Sequence, residues 1–394
     1  MKEFVQYMPT KVVFGRDTEK ETGRLVKESG ASRVLVIYGG GSAVRSGLLF
    51  RVEESLKEYG IVYEELSGVK PNPGLSLARE GVKKASSFGA DLILAVGGGS
   101  VIDTAKAAAL GAANPGTDIW EFWMGRAQTV KALPVGVVLT IPAAGSEMSD
   151  SAVLTDEDTK KKAGYNSDIV RPRFAVLNPE LAYTLPKYQL ACGIVDILMH
   201  TLERYFTPVA GNELTDELAE GLMRTVIRNG KKAYENQEDY DAMSELTWCA
   251  SLSHNGLTGL GRPKDFACHK LGHELSGRFD EAHGATLSAV WGSWAKYVYQ
   301  MDLDRFVRYG KQVWNIETED KEEAALASIE QTEQFFRSLN MPVCLGELSI
   351  GVQTEGVLKS LAEYATKKDT VRLGCFKELT AQDAYEIYKE ANHR

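Results

Sequence analysis

Twice in its first hundred residues the chain runs a short β-branched, apolar stretch straight into three glycines, a serine and a helical pattern. No other feature limits the possible folds as much. Arg33-Val34-Leu35-Val36-Ile37-Tyr38 leads into Gly39-Gly40-Gly41-Ser42, and Asp91-Leu92-Ile93-Leu94-Ala95-Val96 leads into Gly97-Gly98-Gly99-Ser100. Residues 135–140 and 173–177 read as two further strands of the same kind. Strands that are apolar at nearly every position are buried on both faces, which happens where helices cover both sides of a parallel sheet. The first half is therefore expected to be an α/β, Rossmann-like domain. Glycine lets backbone N–H groups close in on a ligand, and the helix that follows presents its positive end, so each junction is a candidate anion site for a dinucleotide pyrophosphate. Neither junction matches G-x-G-x-x-G, and neither ends in the Gly-Lys-Ser/Thr of a P-loop. Taken alone, the turns leave nucleotide binding and an ordinary tight βα turn both open.

The pattern changes at Thr184-Leu185-Pro186, after which strand signals nearly vanish and helical periodicity dominates, as in 189–206, 213–234, 287–299 and the acidic 321–339. Pro186 suits the first turn of a helix. The expected division is an α/β domain at 1–186 and an all-helical domain at 187–394. Lys+Arg 45 against Asp+Glu 54 gives a net charge of −9, which argues against a protein that reads a nucleic-acid backbone. No apolar run reaches the ~18–20 residues of a membrane span, and Met1-Lys2-Glu3-Phe4 does not open a secretory leader. The 5 cysteines are scattered without a C-x-x-C pair, so a cytoplasmic protein without a disulfide framework is expected.

The second half carries a metal-site pattern. His269 and His273 are four residues apart, so on a helix they share a face, and His283 follows ten residues later. Asp196 and His200 form another such pair on a helix whose Val195, Leu198, Met199 and Leu202 are apolar. A carboxylate there is expensive to bury without a cation or hydrogen-bond partners. One Asp and two or three His from neighbouring helices would hold a divalent first-row metal with an open position. A simple ion pair is the plainer account of Asp196 and His200 taken alone. His273-Glu274 does not extend to a zincin motif, because residue 277 is Gly. Cys268 abuts the cluster but points away from His269 on a helix, so it is expected to be a packed, oxidation-sensitive thiol.

With these residues in view, the chain resembles the iron-dependent (group III) alcohol dehydrogenase family, and within it the butanol dehydrogenase-like, NADP-preferring branch. The likeness runs nearly end to end, through Pro9-Thr10-Lys11-Val12-Val13-Phe14-Gly15, Val69-Lys70-Pro71-Asn72-Pro73, Gly97-Gly98-Gly99-Ser100 with Asp103, Gly145-Ser146-Glu147-Met148, Thr184-Leu185-Pro186, Gly193-x-x-Asp196-x-x-x-His200, His269-x-x-x-His273 and His283-Gly284. The resemblance implies Asp196, His200, His269 and His283 as ligands of a divalent metal, iron or zinc, and His273 as a proton-transfer residue near the nicotinamide. It also implies cofactor contacts at Gly39, Gly40, Gly41, Ser42, Arg45, Asn72, Gly97, Gly98, Gly99, Ser100, Asp103, Thr140 and Lys162, with an active site in the cleft between the domains. The chain departs from the usual family pattern at Ser149, Asn178 and Ile197, where Asn, Asp and a small residue are common. The first two departures bear on local hydrogen bonding and the third on space beside the metal.

The expected activity is hydride transfer between NADP(H) and a primary alcohol or aldehyde such as butanol or butanal, in a homodimer with neither nucleic-acid nor membrane partners. Cofactor choice rests on the end of the first strand. An NAD site commonly places a carboxylate there for the ribose 2′-OH. Here no Asp or Glu occurs between Tyr38 and Glu53, while Ser42 and Arg45 could hold a 2′-phosphate, with NAD as the second option. A glycerol-type polyol dehydrogenase on the same scaffold, a related lyase and a non-catalytic metal- or nucleotide-binding protein are the alternatives. The lyase would need a basic cluster for a phosphorylated or carboxylated substrate, and none lies near the ligand segments.

Overall fold

A computed structural model describes residues 2–394. The chain forms two compact units, one spanning Tyr7–Thr184 and the other spanning Leu185–Arg394 together with residues 2–6. The Lys2 N–H donates to the Gly261 carbonyl at 3.0 Å, so these first residues do not belong to the sheet unit, as a single division at 186 would have it.

The unit at Tyr7–Thr184 is built on a parallel sheet of β1 (Lys11–Phe14), β2 (Arg33–Gly39), β3 (Val62–Val69), β4 (Leu92–Gly97), β5 (Val135–Leu139) and β8 (Phe174–Leu177), in the order β1-β8-β5-β4-β2-β3. An antiparallel hairpin of β6 (Ser151–Asp156) and β7 (Lys161–Asn166) lies apart from that sheet. The helices are α1 (Thr22–Glu28), α2 (Ser42–Arg45), α3 (Leu48–Glu58), α4 (Leu75–Phe88), α5 (Gly99–Ala113) and α6 (Ile119–Trp123). Successive side chains of a strand point to opposite faces. Accordingly Val34, Val36, Leu92 and Leu94 pack with Val52 and Leu56 of α3, while Leu35, Ile37, Ile93 and Ala95 pack with Ile102, Ala105 and Ala109 of α5. Both faces are covered, as the continuous apolar strands require.

β3 and the hairpin are additions to the sequence reading. β3 is an edge strand reading Val-Tyr-Glu-Glu-Leu-Ser-Gly-Val, and the hairpin strands are similarly polar, so neither carries the buried-strand pattern. The first Gly-Gly-Gly-Ser leads into α2, a single turn, rather than into a long helix.

The other unit is helical, with α7 (Lys187–Tyr205), α8 (Glu213–Glu235), α9 (Tyr240–His254), α10 (Ala267–Phe279), α11 (His283–Val298), α12 (Leu303–Trp314), α13 (Lys321–Ser338), α14 (Glu355–Ala365) and α15 (Ala381–Ala391). Pro186 sits at the N-cap of α7, one residue ahead of the first-turn place expected for it. Phe206 stacks on Phe306 with ring centroids 4.4 Å apart in a core that also holds Trp291, Trp294 and Tyr309. The end of α7 is pinned by a buried polar cluster. Arg305 donates to the Tyr205 carbonyl at 2.9 Å and pairs with Asp216 at 2.6 Å, Arg262 pairs with the same carboxylate, and Glu220 accepts from Tyr205 Oη at 2.7 Å and from Arg308 at 2.6 Å. Among the described residues no helix is long and apolar enough to cross a membrane.

Candidate metal centre and dinucleotide cradle

Three helices of the second unit converge on Asp196. One turn of α7 places His200 Nδ1 3.2 Å from Asp196 Oδ1, α10 brings His269 Nε2 to 3.7 Å, and the first residue of α11 brings His283 Nε2 to 3.8 Å. The donor atoms of Asp196, His200 and His269 all lie within 4.8 Å of one another, while His283 borders this triad without joining it at that distance. Asp196, His200 and His269 are only 5%, 3% and 5% exposed. Asp196 Oδ1 and His269 Nε2 face each other, buried, with no hydrogen-bond partner. Leaving such atoms bare is costly. A buried carboxylate oxygen and an imidazole nitrogen left bare side by side, with two further histidines at the same oxygen, are what a divalent cation fills, so the residues present fit a metal.

The unused nitrogens are occupied in a way that supports this reading. His200 Nδ1 donates to the Asp196 carbonyl at 2.9 Å, which leaves Nε2 as a lone pair. His269 Nδ1 donates to Glu203 Oε2, and Glu203 Oε1 accepts the His269 backbone N–H at 3.1 Å. A carboxylate behind a ligand histidine fixes its tautomer and raises its basicity. Sequence reading passed over Glu203. The available signal was a glutamate on the apolar face of α7, one turn after His200. Burial opposes charge on Asp196, but His200, His269 and His283 outweigh it and hold its carboxyl well below the usual range. Burial likewise opposes charge on His269, but Glu203 and Asp196 prevail and raise it to about 9. Burial keeps His200 below the ordinary histidine value.

The approach of α11 depends on Gly284, where a Cβ would stand 2.3 Å from the Cys192 carbonyl oxygen on α7. His273 lies at the edge of the group, partly exposed, with its ring 5.2 Å from His283 and 6.3 Å from His269. His254, at the end of α9, lies against His200 with centroids 4.1 Å apart and the rings tilted by 41°, a neighbour that sequence reasoning did not assign. Cys268 is fully buried and its thiol is pushed well above the ordinary value, so it is packed but shielded from oxidation. Ile197 points into the core, fully buried.

In the sheet unit the chain proceeds from β2 outward to β3, then returns to β4 on the other side of β2. The boundary between β2 and β4 is thus a topological switch point, where α/β sheets open a crevice beyond the carboxyl ends of their strands. Both glycine turns lie there, since Tyr38 and Val96 are paired neighbours. Gly41, at φ 122°, adopts a conformation open to glycine, and α2 begins at Ser42. Gly97 closes β4, Gly99 and Ser100 open α5, and the Thr140 N–H donates to the Gly97 carbonyl at 3.1 Å. Asn72 and Lys162 meet through a 2.9 Å hydrogen bond from Nζ to Oδ1. Asp103 accepts from Ser146 Oγ at 2.7 Å and from the Val153 N–H at 3.0 Å, and buried Lys106 binds the Ser146, Ser149 and Ser151 carbonyls at 2.7–3.0 Å. The positions that depart from the family pattern are also satisfied. Ser149 Oγ lies 3.2 Å from Lys106 Nζ, and the Asn178 amide donates to Glu19 at 3.0 Å and accepts the Glu180 N–H at 3.1 Å.

Comparison with known proteins places the chain in a family. The model for iron-containing alcohol dehydrogenases matches residues 9–179, and the C-terminal model of the Fe-containing alcohol dehydrogenase family matches 190–392. The chain belongs to the iron-containing alcohol dehydrogenase family. Within the family it is 39% identical to NADH-dependent butanol dehydrogenase A of Clostridium acetobutylicum, over 99% of this chain and 100% of that protein. It is 34% identical to the NADPH-dependent aldehyde reductase YqhD of Escherichia coli, over 99% and 100%. The crystal structure of NADH-dependent butanol dehydrogenase A from Thermotoga maritima superimposes with a TM-score of 0.95 at 38% identity, covering 100% of this chain and 99% of that one. This iron-containing alcohol dehydrogenase is accordingly an oxidoreductase of alcohols and aldehydes that depends on a nicotinamide dinucleotide.

Proposed function

We propose that the protein interconverts small primary alcohols and aldehydes, of the butanol and butanal kind, with NADP(H) preferred over NAD(H), at a centre formed by Asp196, His200, His269 and His283. The observation that carries the proposal is the pair of buried, bare donor atoms, Asp196 Oδ1 and His269 Nε2, with His200 and His283 closing around the same oxygen. A divalent cation held there, iron or zinc, supplies Lewis-acid polarisation of an alcohol or carbonyl oxygen. The dinucleotide supplies or accepts the hydride. The chain's own part is to place and shield. Asp196 contributes a permanent negative charge, Glu203 holds the His269 ring, and the buried walls exclude water. His273, partly exposed beside His283, is placed to pass the alcohol proton to solvent.

For the cofactor, Arg45 Nη1 hangs over the first glycine turn, 3.0 Å from where a Cβ on Gly41 would stand, and Ser42 is exposed beside it. A guanidinium and a hydroxyl beside a glycine turn suit a phosphate monoester. The names of the relatives include both dinucleotides, so the side chains at 42 and 45 carry this part of the proposal. Absorbance at 340 nm with butanal and either reduced dinucleotide tests both parts. NADPH is expected to give the larger kcat/KM, and Arg45→Ala is expected to shift the ratio toward NADH by about tenfold, the scale of one charge-assisted contact. Equal efficiency in the parent protein counts against the preference. A homodimer in the cytoplasm completes the reading, with light scattering as its check.

A further inference from the structure

Lys106, on the second turn of α5, is fully buried, which a lysine tolerates only when its ammonium is well bonded. Its Nζ lies 2.7 Å from the Ser146 carbonyl oxygen, 3.0 Å from that of Ser149 and 2.7 Å from that of Ser151. An ammonium has three protons, and these carbonyls take all three; a neutral amine would leave one of them bare, and an apolar side chain would leave them all bare. Carbonyls from one short stretch of chain turn toward a single point because a cation sits there. Lys106 therefore dictates the shape of residues 146–151. Asp103, one turn earlier on α5, holds the same stretch at two further points, accepting from Ser146 Oγ at 2.7 Å and from the Val153 N–H at 3.0 Å.

That stretch continues the segment that lies against the second glycine turn. The Thr140 N–H donates to the Gly97 carbonyl at 3.1 Å, and a Cβ on Gly98 would stand 2.9 Å from the Ile141 side chain. On its other side the stretch runs into β6, whose partner β7 brings Lys162 Nζ to 2.9 Å from Asn72 Oδ1. One buried ammonium thus sits where the segment flanking the turn meets the hairpin. We propose that Lys106 is a positioning residue for the dinucleotide: by fixing residues 146–151 it holds the flank of the second glycine turn in the shape that binds the pyrophosphate. This rests on the reading that the glycine turns hold the dinucleotide, and adds the residue on which the shape of that site depends. The charged groups that face Lys106 are Asp103 on its own helix, Glu147 and Asp150 on the stretch it binds, and Arg171. Burial outweighs the carboxylates and lowers Lys106 to about 8, so the ammonium is present below that pH and lost above it.

Fluorescence titration of the full-length protein with NADPH between about pH 7 and pH 10 is the test. In the parent, Kd should be flat below about pH 8 and rise above it, approaching tenfold per unit for one proton lost. Lys106→Arg keeps a cation with donors for the three carbonyls and does not lose its charge in this range, so its Kd should stay flat. Lys106→Met should raise Kd about 10–100-fold at pH 7, yet keep kcat with butanal at saturating NADPH within about threefold. A variant that is merely misfolded would lose kcat as well. A Met variant that binds NADPH as tightly as the parent overturns the proposal, and so does a rise above pH 8 that the Arg variant shares. If neither variant folds, the parent decides: a rise above pH 8 supports the proposal and a flat profile overturns it. Failure of the underlying reading looks different. Gly99→Asp, whose Cβ would meet Ala144 at 3.6 Å, places a carboxylate on the turn itself, and unchanged NADPH binding there would show that the turn is not the dinucleotide site.

Discussion

At the scale of single residues, the proposed metal centre is a set of charges that make sense only together. His269 takes up a proton below about pH 9 when no metal is present, because Glu203 and Asp196 outweigh its burial. A metal must displace that proton, so apparent metal affinity should weaken as pH falls from about 9, approaching tenfold per unit for one proton. Asp196 and His200 add no such competition near neutrality, since the first is held well below and the second below its ordinary value. Competition titration with a chromophoric chelator at pH 7 and pH 9 measures the slope. Glu203→Gln keeps the shape but not the charge behind His269, and should lower metal affinity about 10–100-fold. His269→Ala should abolish metal retention while the fold stands, as near- and far-ultraviolet circular dichroism can show. His273→Ala should instead keep the metal, lose rate and alter the pH profile of alcohol oxidation. Metal loss in that variant would move His273 into the ligand set.

At the scale of elements, the centre depends on how α7, α10 and α11 are held. α11 can reach α7 only because residue 284 lacks a Cβ, which would meet the Cys192 carbonyl at 2.3 Å. Gly284→Val should therefore shift His283 and cost more metal affinity than the loss of a surface residue could, with stability lowered by about 1–3 kcal/mol from overpacking. The far end of α7 is held by the Asp216 cluster. Burial opposes the Asp216 charge, but Arg305 and Arg262 hold the carboxyl below its ordinary value. Arg305→Met removes one of those partners and the donor to the Tyr205 carbonyl, and urea unfolding should show a loss of about 3 kcal/mol.

For the molecule as a whole, stability toward acid follows the carboxylates whose folded pKa is depressed. Asp383 is one. Burial opposes its charge, yet the Thr380 hydroxyl, Tyr297 Oη, the Thr380 N–H and Lys377 hold it well below 3.8. A depressed carboxyl contributes stability that is fully present above its unfolded pKa and lost as pH falls through the folded one. Asp265 acts in the opposite sense. Burial and Glu203 raise it to about 6, so between about pH 4 and 6 the folded chain binds a proton that the unfolded chain does not. On that account stability falls as pH rises across the window. The difference in Tm between the metal-free parent and Asp383→Asn should be constant above about pH 5 and shrink below about pH 4. A difference that persists unchanged to pH 2 would assign the effect to the neutral hydrogen bonds of the cap.

Much of this architecture was legible in the amino-acid order. Apolar runs such as Leu92–Val96 specify strands buried on both faces because period and composition act locally, and Asp196, His200, His269 and His273 sit at helical spacings that any helix turns into shared faces. β3 was missed because most of its positions at the sheet edge are exposed or half-buried, so its glutamates carry no penalty and it leaves no buried-strand signal. Spacing could not separate His273 from the ligands either, since a shared helix face says nothing about which ring meets Asp196. The resemblance to a family supplies that distinction, while the packing of α10 and α11 decides that His269 and His283 come within 3.7 and 3.8 Å of Asp196. Glu203 behind His269, His254 against His200 and the position of both glycine turns beside one switch point depend on contacts between residues up to about seventy positions apart. Local order thus determined which side chains were available and on which elements. Burial of the apolar faces, which acts on the whole chain at once, decided which of them meet.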